Sequence, residues 1–333
     1  MKKNIAFLLL MFISFLACTN STQKEAGDEE IVSPHVTTRV LKGACLFAGQ
    51  IEKFTEEEWK ALGKSAVTDF VIIPKTAEEY NASSEGYQSL LTPFMVETIQ
   101  NLVRSNPEVK CWIGTPGITS LNFEIADENI DPFYEYIQSV KKALSHQVWD
   151  KNIAGVYMNQ EALYGPIDVP NITENQCYKL ISALSDKIHL QLKKQFLWIP
   201  YYGFGPYADL VNTGLAYVCN QTDIFDYVVI QPHHYFEGNA PDNIAAVKQS
   251  VARQSVSTPE GKSIFPKESK TAIGPEMEMS WRIVPPNDYA EFKERFQQYL
   301  DAFSEYEGQY PIIFYWDGDL KNAFESHINP FFQ

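Results

Sequence analysis

The chain has 333 residues, 45% of them apolar, and carries 42 acidic against 27 basic side chains for a net charge of −15 at neutral pH. A surface this acidic repels phosphate backbones, which argues against nucleic acid as a partner. About 295 residues remain after a polar N-terminal stretch, close to the ~250 typical of an eightfold β/α barrel and long for a single sandwich.

Lys2 and Lys3 precede an apolar run from Ile5 to Leu16. That run is shorter than the ~20 residues a spanning helix needs, and small Ala17 follows it, so residues 1–17 read as a secretory signal. Phe15-Leu16-Ala17-Cys18 resembles a bacterial lipobox, with Phe15 where Leu is usual. The resemblance implies that Cys18 is the lipidation site and the first mature residue; ordinary cleavage with an unmodified cysteine is the alternative. Thr19, rather than Asp, after the cysteine resembles outer-membrane sorting. Residues 18–38 are polar, lack periodicity and read as a tether. Their cluster Glu25, Asp28, Glu29 and Glu30 suits a solvated linker or a surface-export tail. Loss of Lys2 and Lys3 brings the net charge to about −17. The expectation is an exported outer-membrane lipoprotein that touches the membrane through its lipid only, because no later segment is long and apolar enough to cross.

From residue 39 to residue 333 one pattern repeats: a short apolar run, a polar loop, an amphipathic helix. The apolar runs are Ala44–Gly49, Phe70–Lys75, Lys110–Gly117, Ile153–Glu161, Phe196–Gly203, Tyr227–Tyr235, Thr271–Met279 and Pro311–Asp317. Helical spacing is expected over Phe54–Leu62, Pro93–Arg104, Asp131–Leu144, Asn175–Leu192, Asn243–Arg253 and Asn287–Phe303. Gln254–Lys270 reads as a long loop. Strands that are apolar on both faces and alternate with helices argue for a parallel sheet covered by helices. Eight units without a Gly-rich phosphate loop at Gly49-Gln50-Ile51 point to closure into a single (β/α)8 TIM barrel.

The C-terminal ends of the strands form the active face of such a barrel. Alternation puts Tyr157, Asn159 and Glu161 on one side of strand four, Glu276 and Glu278 on one side of strand seven, and Tyr315 and Asp317 on one side of strand eight. A glutamate ending strand four opposite another ending strand seven resembles the (β/α)8 retaining glycoside hydrolases. That resemblance implies Glu161 as general acid/base and Glu276 as nucleophile, with Glu278 orienting its neighbour or taking its place. Gln160 stands where members of that superfamily usually carry Asn. The stretches Gly155–Glu161, Ile199–Gly203, Phe225–Phe236 and Gly274–Glu278 also resemble uncharacterised bacterial lipoprotein families, domains of unknown function with glycosidase-like barrels.

For each residue a structural role competes. Glu276 and Glu278 could pair with Lys75 or Arg282, Asp317 could begin a turn, and His233 could be a satisfied core histidine. Gln231 and His233 suit hydrogen bonds to a sugar hydroxyl or to the nucleophile. Aromatics make up 14% of the chain, and flat rings stack on sugar faces. Tyr157, Tyr202, Tyr235, Trp281 and Trp316 are therefore expected near the substrate, and Trp198 in packing. The adjacent histidines His233 and His234 point to opposite sides of a strand, and no His-Glu-x-x-His helix or Gly-x-Ser-x-Gly elbow occurs, so neither a metal nor a cofactor is expected. Cys45, Cys111, Cys177 and Cys219 permit two disulfides, but buried thiols are the expected state of the first two. The expected partner is a carbohydrate. The competing readings are a glycan-binding lipoprotein without catalysis and a structural envelope protein; the oligomeric state is not legible.

Overall fold

The computed structural model describes residues 39–48, 54–74, 84–117, 130–165, 167–238, 240–317 and 320–333, with the backbone alone described at 84–90, 317 and 320. Residues 1–38, with the expected signal, Cys18 and the expected tether, lie outside the described residues, as do Gly49-Gln50-Ile51 and Lys75.

Eight parallel strands close into a barrel in sequence order: β1 (Lys42–Phe47), β2 (Asp69–Ile73), β3 (Lys110–Gly114), β4 (Ile153–Met158), β5 (Gln195–Trp198), β6 (Tyr227–Ile230), β7 (Ala272–Ser280) and β8 (Ile312–Asp317). Closure is completed by β1, which pairs with β2 at Gly43–Asp69 and with β8 at Gly43–Ile313. Each strand is buried on both sides. Its outward residues meet helices, as in Phe70 stacked on Phe324 and Phe314 edge-on to Phe332. Its inward residues fill the barrel. This is the single (β/α)8 architecture that the strand–helix alternation implies.

The lower end of the barrel is sealed by one polar cluster. Asp69, fully buried at the start of β2, receives both terminal nitrogens of Arg39, the Thr68 hydroxyl at 2.7 Å and the Trp112 indole at 3.0 Å. The Trp112 ring meets Tyr227 edge-on from across the barrel, and the Tyr227 hydroxyl donates to the Arg39 carbonyl at 3.0 Å. Gly155 makes room for that indole, since a Cβ there would lie 2.8 Å or less from the ring. Gly274, beneath the β7 carboxyls, passes so close to the Pro311 carbonyl that any side chain would overlap it.

Three of the expected runs end early as strands. β4 stops at Met158, β5 at Trp198 and β6 at Ile230. Pro200 and Pro232 follow closely and have no N–H to continue a ladder, so the residues beyond build the rim. Two helices, His146–Asn152 and Ala208–Gln221, are absent from the periodicity reading. The second contains Asn212, Thr213, Gly214 and Asn220, residues of weak helix propensity. Tertiary burial of Leu215, Ala216, Val218 and Cys219 holds it in place. The Gln254–Lys270 connection is a loop pinned by one antiparallel bridge, Ser257–Ser263. Cys45, Cys111, Cys177 and Cys219 are buried free thiols, and no described helix is long and apolar enough to cross a membrane.

Candidate active site

Two buried carboxyls project from β7 into the upper barrel, Glu276 in the layer of Ile313 and Glu278 in the layer of Tyr315. Both are nearly closed to solvent, at 3% and 1% exposure. Their surroundings differ. Glu278 accepts a short hydrogen bond from the Tyr299 hydroxyl and another from the His233 backbone N–H. The Tyr299 oxygen is itself approached by the N–H groups of His234 and Tyr235, both at 3.1 Å. Two donors already point at that oxygen, so its single proton is directed at Glu278. The hydroxyl is thus preorganised to hold a negative charge.

Burial nevertheless moves Glu278 up to about 7, helped by the charge of Glu161 and opposed by the two hydrogen bonds. Glu276 receives no hydrogen bond among the described residues. Burial, then Glu278, then Glu161 drive its pKa well above the ordinary carboxylate range. The two carboxyls therefore share charge unequally: Glu276 keeps a proton where Glu278 gives one up.

Glu161 stands three residues past the end of β4 and is exposed. Its backbone carbonyl accepts the Tyr201 N–H at 3.1 Å, which locks the β4 extension to the rim beyond β5. The Gln231 amide lies 3.5 Å from Glu161 Oε1 and donates to the Ile199 carbonyl at 3.0 Å, so Gln231 positions the carboxyl through a weak contact. Tyr157 lies below, buried, its phenol under the influence of Cys45, Glu161, Glu276 and Tyr315. The strand-four and strand-seven glutamates thus converge on one end of the barrel, with Tyr157 between them and Gln231 beside them. The Asn159 backbone N–H is tied to the Thr115 hydroxyl at 3.0 Å.

His233 adopts the left-handed region with φ of 59°. A strand would have sent its ring and that of His234 in opposite directions; instead β6 ends at Ile230, and His234–Glu237 forms a helical turn. The His233 ring packs on Phe204 with centroids 4.7 Å apart and on Tyr201 at 5.6 Å. Its Nδ1 lies 3.8 Å from Glu278 and has no hydrogen-bond partner. Burial lowers its pKa below that of free imidazole, so this contact is not an ion pair at neutral pH. Arg282 pairs with neither β7 carboxyl: its guanidinium lies 5.1 Å from the Trp281 ring centroid and 4.6 Å from that of Phe292.

Three residues expected to line a sugar site do not. Tyr202 is buried, and its hydroxyl donates to the Ser257 carbonyl at 2.9 Å. Tyr235 is fully buried against Ser280, 3.0 Å from its hydroxyl. Trp316 faces outward against Phe324. Alternation explains the first and last: Tyr201 and Tyr315 take the inward positions that their neighbours were expected to hold. The aromatic wall consists of Tyr201, Phe204 and His233 on one side, with Phe47, Phe236 and Tyr315 in edge-on contact on the other. Trp281 is 37% exposed on a 3-10 turn after β7, edge-on to Tyr289. Trp198 packs on Phe225. Gln160 turns into the wall, its carbonyl accepting the Trp198 indole and its amide donating to the Ala162 carbonyl at 3.3 Å. The side chain of Asp317 lies outside the described residues. Tyr299 lies on the Ala290–Phe303 helix, away from the strand ends, and its helical spacing from Phe296 and Phe303 marks only a buried face.

No protein-family model matches the chain, so the likeness to uncharacterised lipoprotein families gains no support. An uncharacterised protein of Methanocaldococcus jannaschii is 28% identical over 118 residues, 32% of this chain and 32% of that protein. The chain thus matches about a third of the length of that curated relative. Among solved structures, a putative alpha-L-fucosidase from Bacteroides thetaiotaomicron superposes with a TM-score of 0.51 at 12% identity, covering 93% of this chain and 99% of that one. A mutant of a glycoside hydrolase family 5 enzyme from Prevotella bryantii, in complex with a xyloglucan tetradecasaccharide, superposes with a TM-score of 0.51 at 8% identity, covering 89% and 94%. The barrel therefore shares its fold with both of these proteins.

Proposed function

We propose that the protein hydrolyses a glycosidic bond with retention of anomeric configuration, with Glu278 as nucleophile and Glu161 as acid/base. The observation that carries this reading is the unequal environment of the carboxyls: of the two on β7, Glu278 alone is supplied with donors that favour its ionised form. This reassigns the nucleophile from Glu276. A Glu278 oxygen attacks the anomeric carbon as the bond to the leaving oxygen breaks, and Glu161 gives that oxygen its proton. Water then attacks the glycosyl ester, Glu161 takes the water proton, and the Glu278 carboxylate is released.

Incubation with plant, host and bacterial glycans is expected to give one cleaved class. Its first-formed product, followed by NMR, should carry the anomeric configuration of the substrate. An inverted product would remove the nucleophile from the scheme. The near-complete burial of Glu276 and Glu278 favours a second reading, a barrel that binds glycan and does not cleave it. Tight binding with no product over long incubation would establish that alternative.

We also propose that the protein is exported and anchored in the outer membrane by lipid on Cys18. Cys18→Ala is expected to abolish palmitate labelling and release the protein from the membrane fraction; unchanged labelling would end that proposal.

A further inference from the structure

We infer that Arg295 is a positioning residue for the Glu278 carboxyl and acts through the short helical turn His234–Glu237. This rests on the glycosidase reading for the role of Glu278 as nucleophile.

The turn offers its N–H groups to the site and its carbonyls to the Ala290–Phe303 helix. The His233 N–H donates to Glu278, and those of His234 and Tyr235 donate to the Tyr299 oxygen, both at 3.1 Å. Tyr299 passes that polarity on through its own hydrogen bond to Glu278. On the other side, Arg295 Nη1 donates to the Tyr235 carbonyl at 3.0 Å and, more weakly, to that of Phe236 at 3.5 Å. Three consecutive N–H groups thus serve the carboxyl, and one guanidinium holds the peptides that follow them.

A turn of four residues does not keep this shape unaided. The Gly238 N–H closes it on the His234 carbonyl at 2.8 Å, and a lone helical turn is unstable. Both flanks lie in the left-handed region, His233 at φ of 59° and Gly238 at 71°. For His233 that conformation costs energy, which contacts from outside must offset. One such contact is to β7: the Tyr235 hydroxyl lies 3.0 Å from that of Ser280 and accepts the Ser280 N–H at 3.1 Å. The other is Arg295, itself held by Glu291 and by the Phe292 ring, whose centroid is 4.9 Å away.

Glu291, Arg295 and Tyr299 recur every four residues, so they form one stripe along their helix. The stripe grips the turn at both ends, Arg295 by its carbonyls and Tyr299 by its N–H groups. A planar guanidinium can donate to Glu291 and to backbone carbonyls at once. A lysine ammonium keeps the charge and loses the fork. Around Glu278 stand Glu276 on its own strand, Glu161 beyond β4, Tyr315 on β8 and His233, with Nδ1 at 3.8 Å. Around Arg295 stand Glu291, His234 and, over the same Phe292 ring, Arg282. Substitution of Arg295 alters none of them.

The test is infrared titration of the full chain carrying isotope-labelled glutamate, with the Glu278 band assigned as the one lost in Glu278→Gln. Arg295→Lys should move that titration up by about half a pH unit or more, because loosened N–H groups favour the ionised form less. On a cleaved glycan the acidic limb of kcat/KM should move with it, a loss of about threefold well below its midpoint, with KM little changed. Arg295→Gln should shift both at least as far; if it does not fold, Arg295→Lys still decides. Arg282→Gln removes a guanidinium from the same ring without touching the turn and should leave both readouts in place. A titration in Arg295→Lys equal to that of the wild type would overturn the inference, even with lowered thermal stability. An equal shift in Arg282→Gln would overturn it too. A shifted carboxyl with no glycan cleaved would sustain the positioning of Glu278 and overturn the glycosidase reading. A cleaved glycan with an unmoved carboxyl would do the reverse.

Discussion

Glu278→Gln is expected to lower kcat by about four orders of magnitude, some 5.5 kcal/mol of barrier, once a cleaved glycan is in hand. Gln matches the carboxylate in size but cannot form the glycosyl ester. Glu278→Ala opens a cavity that a small anion can enter. Azide should therefore restore turnover and yield a glycosyl azide of inverted configuration, because it attacks from the face that Glu278 occupied. The same treatment of a Glu276 variant should restore nothing. If azide rescued Glu276→Ala and not Glu278→Ala, the assignment of the two β7 carboxyls would be reversed.

The pH profile offers a readout of the group that tunes the nucleophile. Glu278 must be ionised to attack, and burial places its titration at about 7, so kcat/KM is expected to rise as pH climbs through that value. The Tyr299 hydroxyl favours the ionised form. Tyr299→Phe removes this donor, raises the Glu278 pKa and moves the acidic limb of the profile to higher pH. A merely structural tyrosine would lower stability without moving that limb. The raised pKa also acts on folding: between the unfolded value of ~4.3 and about 7 the native state holds the extra proton. This group's contribution to stability therefore falls as pH rises through that window.

Asp69→Ala is expected to destabilise the barrel by about 3–5 kcal/mol, measured by urea unfolding with comparison of midpoint and slope. The carboxylate is fully buried and is the common acceptor for Arg39, Thr68 and Trp112. Removing it leaves a partly buried guanidinium and a buried indole N–H without acceptors. Asp69→Asn keeps the shape but presents an amide to a cation, so it should fall between wild type and Asp69→Ala. A loss below about 1 kcal/mol for Asp69→Ala would mean that water replaces the carboxylate and that the lower end is not sealed.

The barrel was legible because its evidence is redundant. Eight apolar runs of strand length, spaced by helical periodicity, leave few other ways to bury both faces of every strand. Side-chain direction was legible wherever alternation held, as for Tyr157 on β4 and for Glu276 and Glu278 on β7; Glu161 stands on the irregular rim three residues past β4. Alternation failed where the backbone leaves the strand. The prolines at 200 and 232 end the ladders of β5 and β6 early. His233 turns through the left-handed region and Tyr235 is carried into a helical turn. Tyr202 and Trp316 were expected at the mouth as aromatic residue types, where alternation from Leu197 and Tyr315 would have directed them outward. Tyr299 was out of reach for a different reason: its hydrogen bond to Glu278 spans 21 residues between a helix and a strand, and nothing local records that contact.

Arg39 leads into β1 and clasps the barrel from two sides, its side chain tied to Asp69 of β2 and its carbonyl to the Tyr227 hydroxyl of β6. Trimming the chain past Arg39 would therefore open the base of the barrel, whereas a cut ahead of that residue would leave the clasp intact.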